Sequence, residues 1–184
     1  NGIELYLGDG SDSVIINEPA GGGFVEQVRF DNNTNWLLSD LQAKILEDAS
    51  TSGDDHIVGF TGTDSLNGGL GIDVLSGLGG GDTYTFNAGD GHDFISDGGS
   101  GTGDTLNITG YAVGDIHFST SYIYPQHLRM WFGDGSDSIT VFNGLTDGDA
   151  GAIESFNIGG TPMSLSDLRQ LYLSEQTTAG NDRI

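Results

Sequence analysis

The chain contains no cysteine, so no disulfide stabilises it, no cysteine nucleophile exists, and the redox compartment is unmarked. Basic residues are nearly as scarce: 5 Lys plus Arg stand against 27 Asp plus Glu, a formal net charge of −22 over 184 residues. None lies between Lys44 and Arg129. This balance argues against nucleic acid and against an anionic membrane surface as partners. It also opposes a compact state by self-repulsion, unless something positive is bound. No run reaches the roughly 18 apolar residues that a membrane span needs. Catalytic signatures are missing too, with no His-Glu-x-x-His and no Gly-x-Ser-x-Gly. His56, His92, His117 and His127 are scattered, without the spacing of a zinc or catalytic set. The sequence predicts no enzyme, and its length suits one or two small domains with real cores.

What the chain has in abundance is glycine and aspartate: 32 Gly, and 21 Asp against 6 Glu. Residues 53–85 arrange them as G-G-x-G-x-D-x-U-x, where U is large and apolar. The first copy runs through Gly53, Asp55 and Ile57, and the second through Gly59, Gly62, Asp64 and Leu66. The third, Gly68-Gly69-Leu70-Gly71-Ile72-Asp73-Val74-Leu75-Ser76, is complete, and the fourth holds Gly77, Gly79, Gly80, Asp82 and Tyr84. Asp55, Asp64, Asp73 and Asp82 therefore stand nine apart. This period specifies a calcium-binding parallel β-roll. Each x-U-x is a short strand with its apolar side chain inward, and each G-G-x-G-x-D is a turn. Repeats two apart stack, placing Asp55 over Asp73 and Asp64 over Asp82, roughly 4.8 Å from strand to strand. Carboxylates that close resist ionising unless a cation sits between them. Calcium suits the slot because it accepts six to eight oxygens from carboxylates and backbone carbonyls. Gly-Asp-rich tracts also occur as solvated turns or linkers. A linker, however, has no reason to keep Asp and a large apolar residue in step over four copies.

The array continues beyond residue 85 with an irregularity. Skipping Phe86 and Asn87 restores the register as Ala88-Gly89-Asp90-Gly91-His92-Asp93-Phe94-Ile95-Ser96, which puts Asp93 at the ligand position near Asp73. Asp97 and then Asp104 belong to a closing turn, where each supplies either a last ligand or only turn chemistry. Tyr84 and Phe86 are expected to fill the interior.

A longer repeat frames the first. Ile3–Val14 recurs as Leu128–Ile139, Leu38-Ser39-Asp40-Leu41 as Leu165-Ser166-Asp167-Leu168, and Ser52–Ile57 as Ala179–Ile184. The chain thus reads as about one and a half copies of a larger module. With Asn1 in place of an initiator Met and no signal peptide, it is expected to be an excerpt. In each flank, alternating runs such as Leu128, Met130, Phe132 and Ile139, Val141 predict half-buried strands. A short helix follows, capped by Ser39 or Asp40, with Leu41, Ile45 and Leu46 on one face; its counterpart carries Leu168, Leu171 and Tyr172. The Gly-Asp-Gly-Ser-Asp turns that end in Asp12 and Asp137 are expected to be plain hairpin turns. Trp36 and Trp131 are assigned to the flank cores, with a sugar platform as the alternative.

The nonapeptides resemble those of the RTX (repeats-in-toxin) family of secreted bacterial proteins, and the flanks resemble the haemolysin-type calcium-binding-related domain. The resemblance implies export by a type I secretion system without calcium, then folding on extracellular calcium. It also implies backbone ligands from the turn glycines, here Gly53, Gly59, Gly62, Gly68, Gly69, Gly71, Gly77, Gly79, Gly80, Gly89 and Gly91. The first copy departs from the pattern, with Ser50 and Thr51 where glycines are expected. The expected fold is all-β: a right-handed parallel β-roll at 49–106, capped by flanking modules at 1–48 and 107–176, with a further roll starting at 177–184.

Three functions are weighed, and the recurrence of the longer module favours the first, because a secretion tail does not require whole modules in tandem. The first is a non-catalytic calcium-loaded module of a repetitive exoprotein, an adhesin or surface-layer component, lying beside neighbouring copies of itself. The second is the secretion and folding tail of an enzyme or toxin. The third is a module for a cell-surface glycan or for ice, although ice would want ranks of Thr where His56, Ser65, Val74 and Thr83 stand. Extracellular calcium sites bind at about 10⁻⁴–10⁻³ M, which places the protein outside the cell or on its surface.

Overall fold

The computed structural model describes residues 2–7, 12–17, 27–30, 32–98, 101–120, 127–144 and 153–178. The expected further repeat at 177–184 lies outside them beyond Thr178, as do the side chain of Asp12 and the turn before it. The chain forms two compact units, Asn1–Gln42 and Ala43–Ile184.

In the first unit, β1 (Gly2–Leu7) pairs antiparallel with β2 (Asp12–Asn17), and β3 (Gln27–Arg29) with β4 (Asn35–Leu37). Trp36 meets Phe30 edge-on, with ring centroids 5.1 Å apart. Helix α1 (Leu38–Ala49) follows. Its start lies one residue ahead of Ser39: Asp40 reaches back from the first turn and accepts the Leu37 N–H at 2.7 Å.

The second unit is built on the nonapeptides. Strands β5 (His56–Val58), β7 (Val74–Ser76) and β9 (His92–Ile95) pair in parallel in one sheet. Strands β6 (Ser65–Asn67), β8 (Thr83–Asn87) and β10 (Thr105–Thr109) do so in another. Ile57 lies beside Leu75 and Leu66 beside Tyr84, because successive repeats alternate between the two sheets. These four side chains are at most 2% exposed, since in an x-U-x strand only the middle residue faces inward.

Both sheets continue past the repeats. β11 (Ile116–Thr120), β12 (Leu128–Phe132) and β13 (Asp137–Val141) give one sheet the order β11-β12-β13-β9-β7-β5. β14 (Ser155–Ile158) and β15 (Thr161–Ser164) give the other the order β15-β14-β10-β8-β6. Here β13 lies parallel to β9 and β14 parallel to β10, whereas β11–β12, β12–β13 and β14–β15 are antiparallel. Helix α2 (Leu165–Thr178) closes the described chain. Its cap is Ser164, whose hydroxyl accepts the Asp167 N–H while the Asp167 carboxylate accepts the Ser164 N–H and O–H. No helix among the described residues is long and apolar enough to cross a membrane.

These elements correct the expected fold class. The chain is not an all-β parallel β-roll but a mixed α/β structure, with helices of 12 and 14 residues and large sheets that combine parallel and antiparallel strands. The nine-residue period enforces parallel pairing only within the repeats. Beyond them, strands joined by a few residues, such as 133–136 between β12 and β13, can only fold back antiparallel. The inward faces of the two sheets share one core, in which Phe86 stacks on Phe132 at 5.5 Å and Tyr111 on Phe132 at 4.6 Å. Trp131 is not part of it. It sits on the outward face of β12, half-buried against His117 at 4.2 Å, while Leu128, Met130 and Phe132 point inward.

Candidate metal centre

The aspartates of the repeats form two hydrogen-bonded ladders, one along each edge of turns. On one edge the Asp73 carboxylate accepts the Asp55 N–H at 2.8 Å, and Asp93 accepts the Asp73 N–H at 3.1 Å. On the other, Asp82 accepts the Asp64 N–H at 2.9 Å, and Asp104 the Asp82 N–H at 2.7 Å. Each carboxylate therefore reaches under the preceding repeat of its own edge and uses one oxygen, Oδ1, to hold it.

The second oxygen is the informative one. Oδ2 of Asp73, Asp82 and Asp104 is buried without any hydrogen-bond partner. A buried polar atom left in that state costs about 1–3 kcal/mol, and more if it is charged. Only a proton or a cation relieves it. Burial, with neighbouring carboxylates adding to it, raises the pKa of Asp73, Asp82 and Asp90 above the ordinary carboxylate value. The same causes push Asp93 and Asp97 up to about 7.

Glycine makes this geometry possible. A Cβ on Gly68 would stand 2.3 Å from Asp73 Oδ2, and one on Gly77 would stand 2.1 Å from Asp82 Oδ2. The carboxylate thus folds back onto the first glycine of its own turn, where no other residue fits. At Gly71 and Gly80 the φ angles are 140° and 141°, and a Cβ there would lie 2.7 Å and 2.2 Å from the carbonyl oxygens of Gly53 and Gly62. Backbone carbonyls of one turn are thereby brought against the next turn. Gly59 and Gly91 are similarly crowded, by Asp64 and by the Gly71 carbonyl, and Gly69 by the Thr51 carbonyl. Gly53, Gly62 and Gly89 are not crowded by any close neighbour, and Gly79 is half-buried in a bend.

Asp82, Asp97 and Asp104 converge, with one oxygen from each within 4.8 Å of the others. This buried cluster could hold a metal ion. Asp97 is fixed by the Tyr84 hydroxyl, which donates to it at 2.9 Å and itself accepts the Gly77 N–H at 2.8 Å. Burial raises the Tyr84 pKa, so the phenol stays a donor. The sequence left Asp97 and Asp104 open between ligand and turn chemistry; the structure brings both to Asp82.

Asp55 and Asp64 behave differently. The Asp55 carboxylate is taken up by the N–H and hydroxyl of Thr51, at 2.7–3.1 Å. Asp64 accepts the Phe60 N–H at 2.5 Å.

Three participants were not foreseen. Glu154 caps one ladder by accepting the N–H groups of Gly103 and Asp104 at 3.0 and 2.9 Å. Asp137, expected in a plain hairpin turn, does follow such a turn but is also only 4% exposed. It accepts the Gly89 N–H at 2.6 Å and a short hydrogen bond from the Tyr111 hydroxyl, close to Asp90 and Asp93. Its Gly-Asp-Gly-Ser-Asp sequence carried the signal, since it repeats the spacing of the roll motif. Asp90, buried at 6%, accepts the N–H and side-chain amide of Asn87; Glu154 had no motif to mark it.

The donor set fits a hard cation: carboxylates with a spare buried oxygen, adjacent carbonyls, and no nitrogen or sulfur among them. No family model matches the chain, and no curated protein matches it either.

Proposed function

We propose that this chain is a non-catalytic calcium-binding module of a large, repetitive secreted exoprotein, and that calcium completes its folding outside the cell. The observation that carries this reading is the set of three buried, partnerless carboxylate oxygens on Asp73, Asp82 and Asp104. Oxygen-only donors with backbone carbonyls nearby favour calcium over zinc, which prefers His and Cys, and over magnesium, which demands a tight octahedron. Bound cations also offset part of the −22 net charge. The recurrence of Ile3–Val14 as Leu128–Ile139 supports a protein made of repeated modules, and the resemblance of the nonapeptides to RTX repeats supports export before folding. Binding free energy then becomes folding free energy. Circular dichroism in a chelator should show weakened β structure that returns with millimolar calcium and poorly with magnesium. An apo protein that melts at the same temperature as the calcium-loaded one would overturn the proposal.

A further inference from the structure

Two histidines far apart in sequence, His92 and His127, meet Arg129 on the outward side of the six-stranded sheet, whose edge strands carry His117 and His56. Strand register shows how. Across the six-stranded sheet, one outward row runs Ser119, Arg129, Thr140, Phe94, Val74, His56. The adjacent row runs His117, Trp131, Ser138, His92. His127, just ahead of β12, stands on the other side of the Arg129 row, its ring 4.9 Å from that of Phe142.

A cleft of about 530 Å³ opens here, within the size range of small-ligand sites. Arg129, His92 and His127 line it together with Phe94 and the hydroxyls of Ser138 and Thr140. Among the described residues none that lines it is acidic, in a chain with 27 Asp plus Glu. Arg129 spends a hydrogen bond of 3.2 Å on the buried Ser138 hydroxyl, which also meets His92 Nδ1 at 3.0 Å. Among the described residues no carboxylate forms an ion pair with Arg129. A guanidinium carries five N–H donors in a planar fork that matches a carboxylate. In so acidic a protein, a cleft whose described lining holds a guanidinium and two imidazoles but no carboxylate is complementary to an anion.

We propose that this cleft binds an acidic sugar, a pyranose ring carrying a carboxylate. Arg129 takes the carboxylate, the face of Phe94 takes the apolar C–H side of the ring, and Ser138, Thr140 and the imidazoles serve the ring hydroxyls. One guanidinium suits a monoanion; a phosphate or sulfate would call for more converging cations or backbone N–H groups. The cleft shares no side chain with the aspartate ladders, so this inference goes beyond the metal reading and fails or stands separately from it.

The test uses the full chain saturated with calcium and follows amide and side-chain resonances by NMR. Glucuronate should shift signals of His92, Phe94 and Thr140 saturably, and glucose at least about tenfold more weakly, roughly the loss of one charge-assisted contact. R129Q should lower glucuronate affinity by about tenfold, to the level of glucose, while the circular dichroism and calcium titration stay unchanged. No saturable shift with glucuronate, or equal binding of glucose, overturns the proposal. Sodium sulfate binding as tightly as glucuronate would overturn the sugar assignment by making the cleft a simple anion site.

Discussion

The first pair of repeats and the second carry the same Gly-x-Asp-x-apolar spacing and put its aspartate to different uses. In the first pair, Asp55 and Asp64 turn Oδ2 toward the N–H four residues earlier, on Thr51 and Phe60. In the second, Asp73 and Asp82 are fully buried and leave Oδ2 without a partner. There the Gly69 N–H is taken by the Asn67 side chain instead. The first pair lies at the end of its sheets, with β5 and β6 as edge strands, while the second is covered on both sides. The same aspartate position thus belongs to satisfied turns at an edge, where Thr51 also lends its hydroxyl, and to cation-demanding turns inside a stack. A match to the motif identifies a candidate ligand; its neighbours decide whether an oxygen is left over.

The comparison can be broken most severely at glycine. G77A places a Cβ 2.1 Å from Asp82 Oδ2 and 2.5 Å from the Tyr84 hydroxyl, whereas G53A meets nothing closer than 3.8 Å. Urea denaturation in calcium should show G77A destabilised by about 3 kcal/mol and G53A by under about 1 kcal/mol. Equal losses would mean that the carboxylate does not fold back onto its turn.

Calcium affinity should divide along the same line. D73N and D82N each remove charge from a site with a spare oxygen and should weaken binding by about tenfold or more in calorimetry. D55N, whose carboxylate is already taken up by Thr51, should change it by less than about threefold. A larger effect at Asp55 would reverse the assignment.

The pH dependence of the calcium-free protein sharpens the comparison further. Asp93 and Asp97 are raised to about 7 by burial first, against about 3.9 in an unfolded chain. A folded-state value above the unfolded one gives stability that is fully present below about pH 4 and is lost as pH rises through about 7. In chelator, the melting temperature should therefore be higher near pH 5 than near pH 8. Saturating calcium, which needs the ionised carboxylates, should remove or reverse that trend.

The smallest effects are expected at the two tyrosines. Y84F removes the hydroxyl that joins Asp97 to Gly77 and should cost about 1–2 kcal/mol. Y111F removes the donor to Asp137 from a half-buried ring and should cost about 1 kcal/mol or less. Chemical denaturation of both variants at fixed calcium checks the order.

The repeats were legible because their information is local. Gly68 and Asp73, five apart, contact each other within one turn, and the nine-residue period places Leu75 beside Ile57 without help from elsewhere. The mixed architecture was not legible in the same way: the strands foreseen as the second flank, β11 to β15, became continuations of the sheets themselves. Asp137 and Glu154 reach the ladders from 48 and 50 residues away, and no spacing rule connects positions so distant. Trp131 was placed in a core because it is large and apolar, but strand alternation puts it on the face opposite Met130 and Phe132.

The amino-acid sequence alone determined the turn chemistry, the inward apolar rank, the stacking of aspartates two repeats apart and the acidic field that any bound cation must answer. Tertiary structure decided which carboxylate oxygens lost their partners, how Asp97 and Asp104 came to meet Asp82, and how Arg129, His92 and His127 came to line one cleft. The physical reason is that desolvation and the count of partners depend on every segment packed around a group. Two sheets closing over residues far apart in the chain set both.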